Sequence, residues 1–225
     1  MPNDTELMVV RDDEVKGGWT QAVEKRMAQI MEQAKSAPAA KLAEPLLWWE
    51  VFAIGPFQAG ANTVPPADLG DQPLLPHRII QAGEEATILT VVFLNPNFPR
   101  ATLSACDIIT RFGAQIELNY ITSNMQTMQP APELSKSFCL ETKLNQCWYV
   151  HEYTFTPTEP ACLYETNICA RICNCDDIPI QPFGAFVRWV FDLDFDLFFG
   201  SPSLEFNRPI RFMVSDFQKG CQTCS

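Results

Sequence analysis

From residue 77 to residue 215 the chain alternates short β-type runs with proline-rich turns, and this alternation restricts its fold more than any other feature. Runs of β-branched and aromatic residues between Gly and Pro turns are typical of strands, and no helical pattern separates them. The series therefore predicts an all-β fold, an antiparallel sandwich or barrel. The runs are HRIIQAGEEATILTVVFLNP (strands on either side of AGEE), TLSACDIIT, AQIELNYIT, QCWYVHEYTF, LYETNICARICN, AFVRWVFDLDFDLFF and IRFMVSD.

The part of the chain before this series has a different pattern. Thr20 is a candidate N-cap, and residues 20–36 carry apolar side chains at helical spacing. The run LLWWEVFAIGPF has strand composition and leads into a connection rich in Gly and Pro. We predict four segments: an N-terminal extension with an amphipathic helix (1–45), a strand and proline-rich connection (46–76), a β-sandwich domain (77–216) and a cysteine-bearing tail (217–225).

The apolar stripe of the predicted helix consists of Val23, Met27, Ile30 and Met31. Such a stripe either packs on the helix's own domain or docks on a neighbouring copy. Methionine side chains adapt well to a partner surface. These four residues are therefore our candidate interaction residues, with packing on the same domain as the alternative.

Charge and hydropathy exclude some classes of partner. The chain has 225 residues, a net charge of −11, and scattered rather than clustered Lys and Arg. We therefore expect no nucleic-acid partner. No apolar run reaches the ~18 residues that span a bilayer, so we expect no membrane span. The first residues lack the pattern of a secretory signal, which leaves a cytoplasmic protein or one exported without a cleavable signal.

The stretch ICARICNCDD raises the question of a metal or disulfide site. In a strand, Ile168, Ala170 and Ile172 occupy one face, and the cysteines occupy the opposite one. Cysteines so spaced lie too far apart to bind one metal ion together, which favours disulfides or cross-links to other segments. A zinc or iron–sulfur site remains the alternative, and free thiols beneath a covering segment are a third interpretation. Both the cross-link candidates and the alternative ligands are Cys169, Cys173, Cys175, Cys221 and Cys224.

Other candidate chemistry is sparse. His77 and His151 are the two histidines, each at or within a predicted strand, and no nucleophile, nucleotide or zinc-protease motif accompanies them. Asp192, Asp194 and Asp196 lie on one face of a predicted strand, where at most two neighbours can reach one calcium ion. This spacing favours an acidic solvent face, with a weak divalent site as the alternative. We therefore expect a protein that is not an enzyme and that holds no cofactor.

Two stretches resemble bacterial immunoglobulin-like domains. IIQAGEEATILTVVFLNPN, which is residues 79–97 and covers most of the region 77–96, is similar to their opening strands, in which a Gly-Glu turn precedes an alternating strand that ends in Asn-Pro. EPACLYETNICARI, residues 159–172, is similar to their penultimate strand. The resemblance implies an immunoglobulin-like sandwich with an adhesive or structural role, and it assigns no functional residue.

Taken together, these observations predict a non-enzymatic structural or assembly protein that forms homo-oligomers, with disulfide cross-linking as a possible reinforcement. Other protein partners are compatible with this prediction. Two alternatives remain: a cysteine-ligated metal-binding module, and a binder of a small apolar ligand around Trp48, Trp49 and Trp148.

Overall fold

A computed structural model describes residues 8–9, 17–36, 49–58, 74, 76–96, 104–158, 162–173, 184–190, 193, 198 and 209–215. Its helices are α1 (Gly18–Ser36) and α2 (Ala105–Arg111), with a short 3-10 helix at Pro132–Leu134. Its strands are β1 (Met8–Val9), β2 (Trp49–Gln58), β3 (Ile79–Gln81), β4 (Ala86–Leu94), β5 (Gln115–Asn124), β6 (Gln129–Pro130), β7 (Lys136–Glu141), β8 (Trp148–Phe155), β9 (Cys162–Cys173), β10 (Gly184–Trp189) and β11 (Ile210–Ser215). The prediction of an all-β fold is therefore confirmed at the level of class.

The strands form two sheets that share β10. The main path runs β1-β7-β5-β9-β10-β2-β4-β8, and β11 pairs with both β9 and β3. Along this path, the first sheet contains β1, β7, β5, β9 and β10. The second sheet contains β10, β2, β4 and β8. The prediction of purely antiparallel pairing was wrong, because β1–β7, β10–β2 and β11–β3 are parallel pairs.

Side chains on the facing surfaces of the two sheets form the core. Tyr120 and Phe138 of the first sheet contact His151 and Tyr153 of the second, with ring centroids 4.3–5.8 Å apart. Alternation of buried and half-buried residues along β8 is the period expected of a strand with one face on a core. Burying such large rings supplies much of the apolar area that stabilises a two-sheet protein.

Helix α1 covers the second sheet at β8. Val23, Met27, Ile30 and Met31 are all at most 8% exposed within this single chain and belong to its core. The helix thus packs on its own domain, the alternative considered above, and these four side chains have little surface left for another copy.

The start of α1 is held by a residue from another element. The carboxylate of Glu152, on β8, accepts a hydrogen bond from the Gly17 N–H at 3.1 Å and another from the Thr20 hydroxyl. A carboxylate at the first turn satisfies orphan N–H groups and complements the helix dipole. Thr20, predicted as the N-cap, therefore lies inside the helix, and a residue distant in sequence binds the helix start.

Residues 102–110 were predicted as a strand, and this prediction was wrong, because α2 occupies 105–111. Ser104 caps the helix: its hydroxyl accepts from the Asp107 N–H, and the Asp107 carboxylate accepts from the Ser104 N–H. This reciprocal capping box favours a helix start at this point, although the composition of ACDIIT is typical of a strand.

The described residues of the predicted segments 1–45 and 46–76 belong to the same folded unit as the later strands. Strand β2 corresponds to the strand predicted in the segment 46–76, before the sandwich domain, and it lies between β10 and β4 in the sheet. Its Phe57 ring stacks on Trp19 of α1, with centroids 4.4 Å apart. The strand and the helix thus share one core with the predicted sandwich domain.

Candidate functional site

The outward surface of β3, β11, β9 and β5 carries a group of apolar side chains that we call the outer patch: Ile79, Leu163, Met213 and Ile121. Each of them is between 36% and 51% exposed. Large apolar side chains that are exposed as neighbours mark candidate interaction surfaces more strongly than scattered ones.

Strand register makes three of these residues direct neighbours. Met213 lies opposite Ile79 on one side and opposite Leu163 on the other. The residues that alternate with them, Ile80 and Val214, are fully buried. Because side chains alternate between the faces of a strand, Ile79, Met213 and Leu163 form one row across the outward face.

A charged pair lies beside this row. Arg211 and Glu165 are opposite each other in the register, two residues along from Met213 and Leu163, and the Arg211 Nε atom is 2.8 Å from Glu165 Oε2. Ile121 lies beyond the pair, opposite Asn167. The outer patch therefore surrounds an ion pair with apolar residues on two sides.

The side chains of β9 face inward and outward as their alternation along the sequence predicted. Ile168, Ala170 and Ile172 are buried, and Cys169 is half-buried on the opposite face, across from Asn119 on β5. Partial burial raises the pKa of the Cys169 thiol, which lowers the fraction of reactive thiolate. Cys173 pairs with Gln115 at the end of β9, four residues from Cys169. The strand thus does not bring these two cysteines together.

The remaining cysteine candidates, Cys175, Cys221 and Cys224, lie outside the described residues, as do Trp48 and the three aspartates Asp192, Asp194 and Asp196. Within the described part of the chain, no three Cys, His, Asp or Glu side chains come together as possible metal ligands.

A disulfide is present where the sequence reasoning did not place one, between Cys106 and Cys147. The end of β4 brings the two cysteines together: the Cys106 N–H donates to the Asn95 carbonyl at 3.2 Å, and the Leu94 N–H donates to the Cys147 carbonyl at 2.8 Å. A strand at residues 102–110 would not have placed Cys106 here, whereas α2 does.

The two histidines have different surroundings. His151 is buried in the core, where its Nδ1 atom is 2.9 Å from the Tyr120 hydroxyl, which also bonds Thr90 at 2.6 Å. Burial lowers the pKa of His151 to about 3 and raises that of Tyr120 well above its usual range. His77 is half-buried, its Nδ1 accepts from the Gln58 N–H at 3.2 Å, and burial lowers its pKa too.

A groove of about 410 Å³ lies between α1 and the residues that lead into β8. Trp148 lines it, and so do Met31 and the disulfide-bonded Cys147. Trp49, also predicted near a ligand cavity, is buried and does not line the groove. The other lining residues are Ala28, Glu32, Lys35, Asn145 and Gln146.

The described architecture is that of an all-β protein of two mixed sheets with two α-helices. Neither described helix is long and apolar enough to cross a bilayer.

Comparisons with known proteins give distant likenesses. No family model matches the chain, and no curated protein matches it. The CARDB domain of a Pyrococcus furiosus protein, solved with di-metal ions, is 12% identical over 67% of this chain and 97% of its own, with a TM-score of 0.29. A β-glucosidase from Listeria innocua, solved with glucose, is 8% identical over 65% of this chain and 16% of its own, with a TM-score of 0.28. Likenesses at this level carry no argument about function.

Proposed function

We propose that this chain is a non-enzymatic structural protein that associates with copies of itself through the outer patch. The observation that carries the proposal is the row of Ile79, Met213 and Leu163, which extends across three paired strands. All three side chains are exposed in the single chain. Removing such a row from water on association is favourable in proportion to the apolar area buried.

The proposal assigns no role to a cross-link through Cys169, because its half-buried thiol has a raised pKa. We also propose that the fold belongs to the immunoglobulin-like class that residues 77–96 resemble. Support for that class comes from β3 and β4, which lie on either side of the turn in this stretch.

The test is the oligomeric state of the full chain. We expect the mass of the wild-type protein in sedimentation equilibrium to rise with concentration, and the double variant Leu163→Lys/Met213→Lys to remain a monomer. Lysine at these outward positions adds a charge without removing a core contact, so the circular dichroism spectrum and thermal transition should stay close to the wild type.

The matched control is Leu144→Lys, because Leu144 is also exposed but lies in the loop before β8, away from the outer patch. We expect this variant to associate like the wild type. A wild-type protein that stays monomeric at its highest soluble concentration would contradict the proposal, as would a Leu163→Lys/Met213→Lys variant that associates normally.

The groove beside Trp148 favours a second candidate function, binding of a small apolar ligand. Its volume of about 410 Å³ is within the range of small-molecule sites, and Met31 and Trp148 give it an apolar part. Ala28 lines the groove from an exposed position of α1, so Ala28→Trp should fill it without disturbing the buried face of the helix.

For this second candidate we expect native mass spectrometry of protein from its natural source to show an added small-molecule mass, and Ala28→Trp to lose it. Gln33→Trp, at another exposed position of α1 that does not line the groove, is the control. Absence of any added mass in the wild type would remove this function.

A further inference from the structure

The ion pair within the outer patch suggests how two copies meet. Arg211 keeps 59% of its side chain exposed, while Glu165 keeps 18%. The guanidinium group therefore retains surface on which a second carboxylate can bind. The apolar row lies on one side of this pair and Ile121 on the other.

Charge restricts which face can join two copies of this chain. Each copy has a net charge of −11, so two copies repel each other over most of their surfaces. The charges of Arg211 and Glu165, which lie beside the apolar row of the outer patch, cancel each other. Apolar area at this face can thus be buried without bringing two excess negative charges together.

This inference rests on the proposed function. We propose that the outer patch packs against the same patch of a second copy about a two-fold axis near the ion pair, so that Arg211 of each copy lies against Glu165 of the other. In a two-fold interface, residue i meets residue j and j meets i, so an Arg–Glu pair can exchange partners without leaving a charge unpaired.

The free energy of association should therefore depend strongly on the signs of the charges at positions 211 and 165. An exposed ion pair contributes little to the stability of a single chain. At an interface, the surrounding apolar side chains of both copies exclude water, so like charges placed opposite each other cost far more. Reversing one charge of the pair creates two repulsive contacts per dimer, because each contact occurs twice.

The experiment uses the single variants Arg211→Glu and Glu165→Arg in the full chain. We expect each alone to weaken association roughly tenfold or more, since every tenfold change corresponds to ~1.4 kcal/mol. An equimolar mixture should form a heterodimer, because every contact between the two variants then joins opposite charges. Native mass spectrometry with one variant isotopically labelled separates the heterodimer from both homodimers.

Two further variants serve as controls. The double variant Arg211→Glu/Glu165→Arg should associate like the wild type, and it checks that the reversed charges are compatible with folding. Arg171→Glu alters another outward-facing ion pair, with Glu117 at 2.6 Å, that lies outside the outer patch, and it should leave association unchanged.

The outcomes separate this inference from the proposed function. Normal association of the single charge variants, or no heterodimer on mixing, overturns the two-fold arrangement. If Leu163→Lys/Met213→Lys still dissociates in that case, self-association through the outer patch stands. A monomeric wild-type protein removes both proposals.

Discussion

Replacing Cys106 and Cys147 together by alanine is expected to lower the free energy of unfolding by about 4 kcal/mol. The disulfide joins residues separated by 41 positions, and closing a loop of that length restricts the unfolded chain strongly. It also connects α2 to the loop before β8, where the Asn145 N–H donates to the Thr110 hydroxyl at 3.2 Å. The measurement is urea unfolding of the wild type and of Cys106→Ala/Cys147→Ala.

A reducing agent provides an internal check on this prediction. It should destabilise the wild-type protein by nearly as much as the double substitution and leave the double variant unchanged. Cys169→Ala, which replaces a half-buried thiol, should alter the unfolding free energy by no more than about 1 kcal/mol. Equal stability of the wild-type protein with and without reductant would contradict the stabilising role of the disulfide.

Acidification is expected to destabilise the protein through His151. Burial lowers the pKa of His151 from 6.5 to about 3, so the unfolded chain binds this proton at a higher pH than the folded one. The contribution is fully present above pH 6.5, and it falls by roughly 1.4 kcal/mol per pH unit as the pH drops towards the folded pKa. The groups around His151 are the Tyr120 hydroxyl and the Phe138 ring, and Tyr153 lies beside Tyr120.

The variant that tests this is His151→Phe, in which the Tyr120 hydroxyl keeps its hydrogen bond to Thr90. Unfolding free energies measured between pH 6.5 and 4.5 should fall less steeply for His151→Phe than for the wild type. His77→Asn is the control, because His77 also has a lowered pKa but is only half-buried, and most of the slope should remain. Parallel slopes for the wild type and His151→Phe would refute the assignment.

Local patterns predicted much of the secondary structure. Helical spacing located α1 within two residues of its start at Gly18, and the alternating runs located β3, β4, β5, β8 and β9. Helix α2 was not predicted, because the composition of ACDIIT is typical of a strand, while its helix start is marked only by the capping pair Ser104 and Asp107. A Ser followed three residues later by an acidic residue was the signal that could have identified this helix.

The candidate site was much less accessible from the sequence. Parity along IRFMVS indicates that Met213 faces away from Phe212 and Val214, and parity along β9 places Leu163 outward. Nothing in the sequence states that β11 pairs with β3 in parallel and with β9 in antiparallel. Without these pairings Ile79, Met213 and Leu163 are three isolated apolar residues.

The order of residues is enough to predict a strand-rich chain, one long amphipathic helix, and a strand β9 with Ile168, Ala170 and Ile172 towards the core. These features follow from side-chain spacing along one element, which is local information. The folded structure is needed to see which strands pair, that Cys106 bonds Cys147, that α1 packs on β8, and that an ion pair lies within the outer patch. Each of these contacts joins residues that are far apart in the sequence. The contacts form because the whole core, in this arrangement of elements, buries more apolar area than any single element can bury.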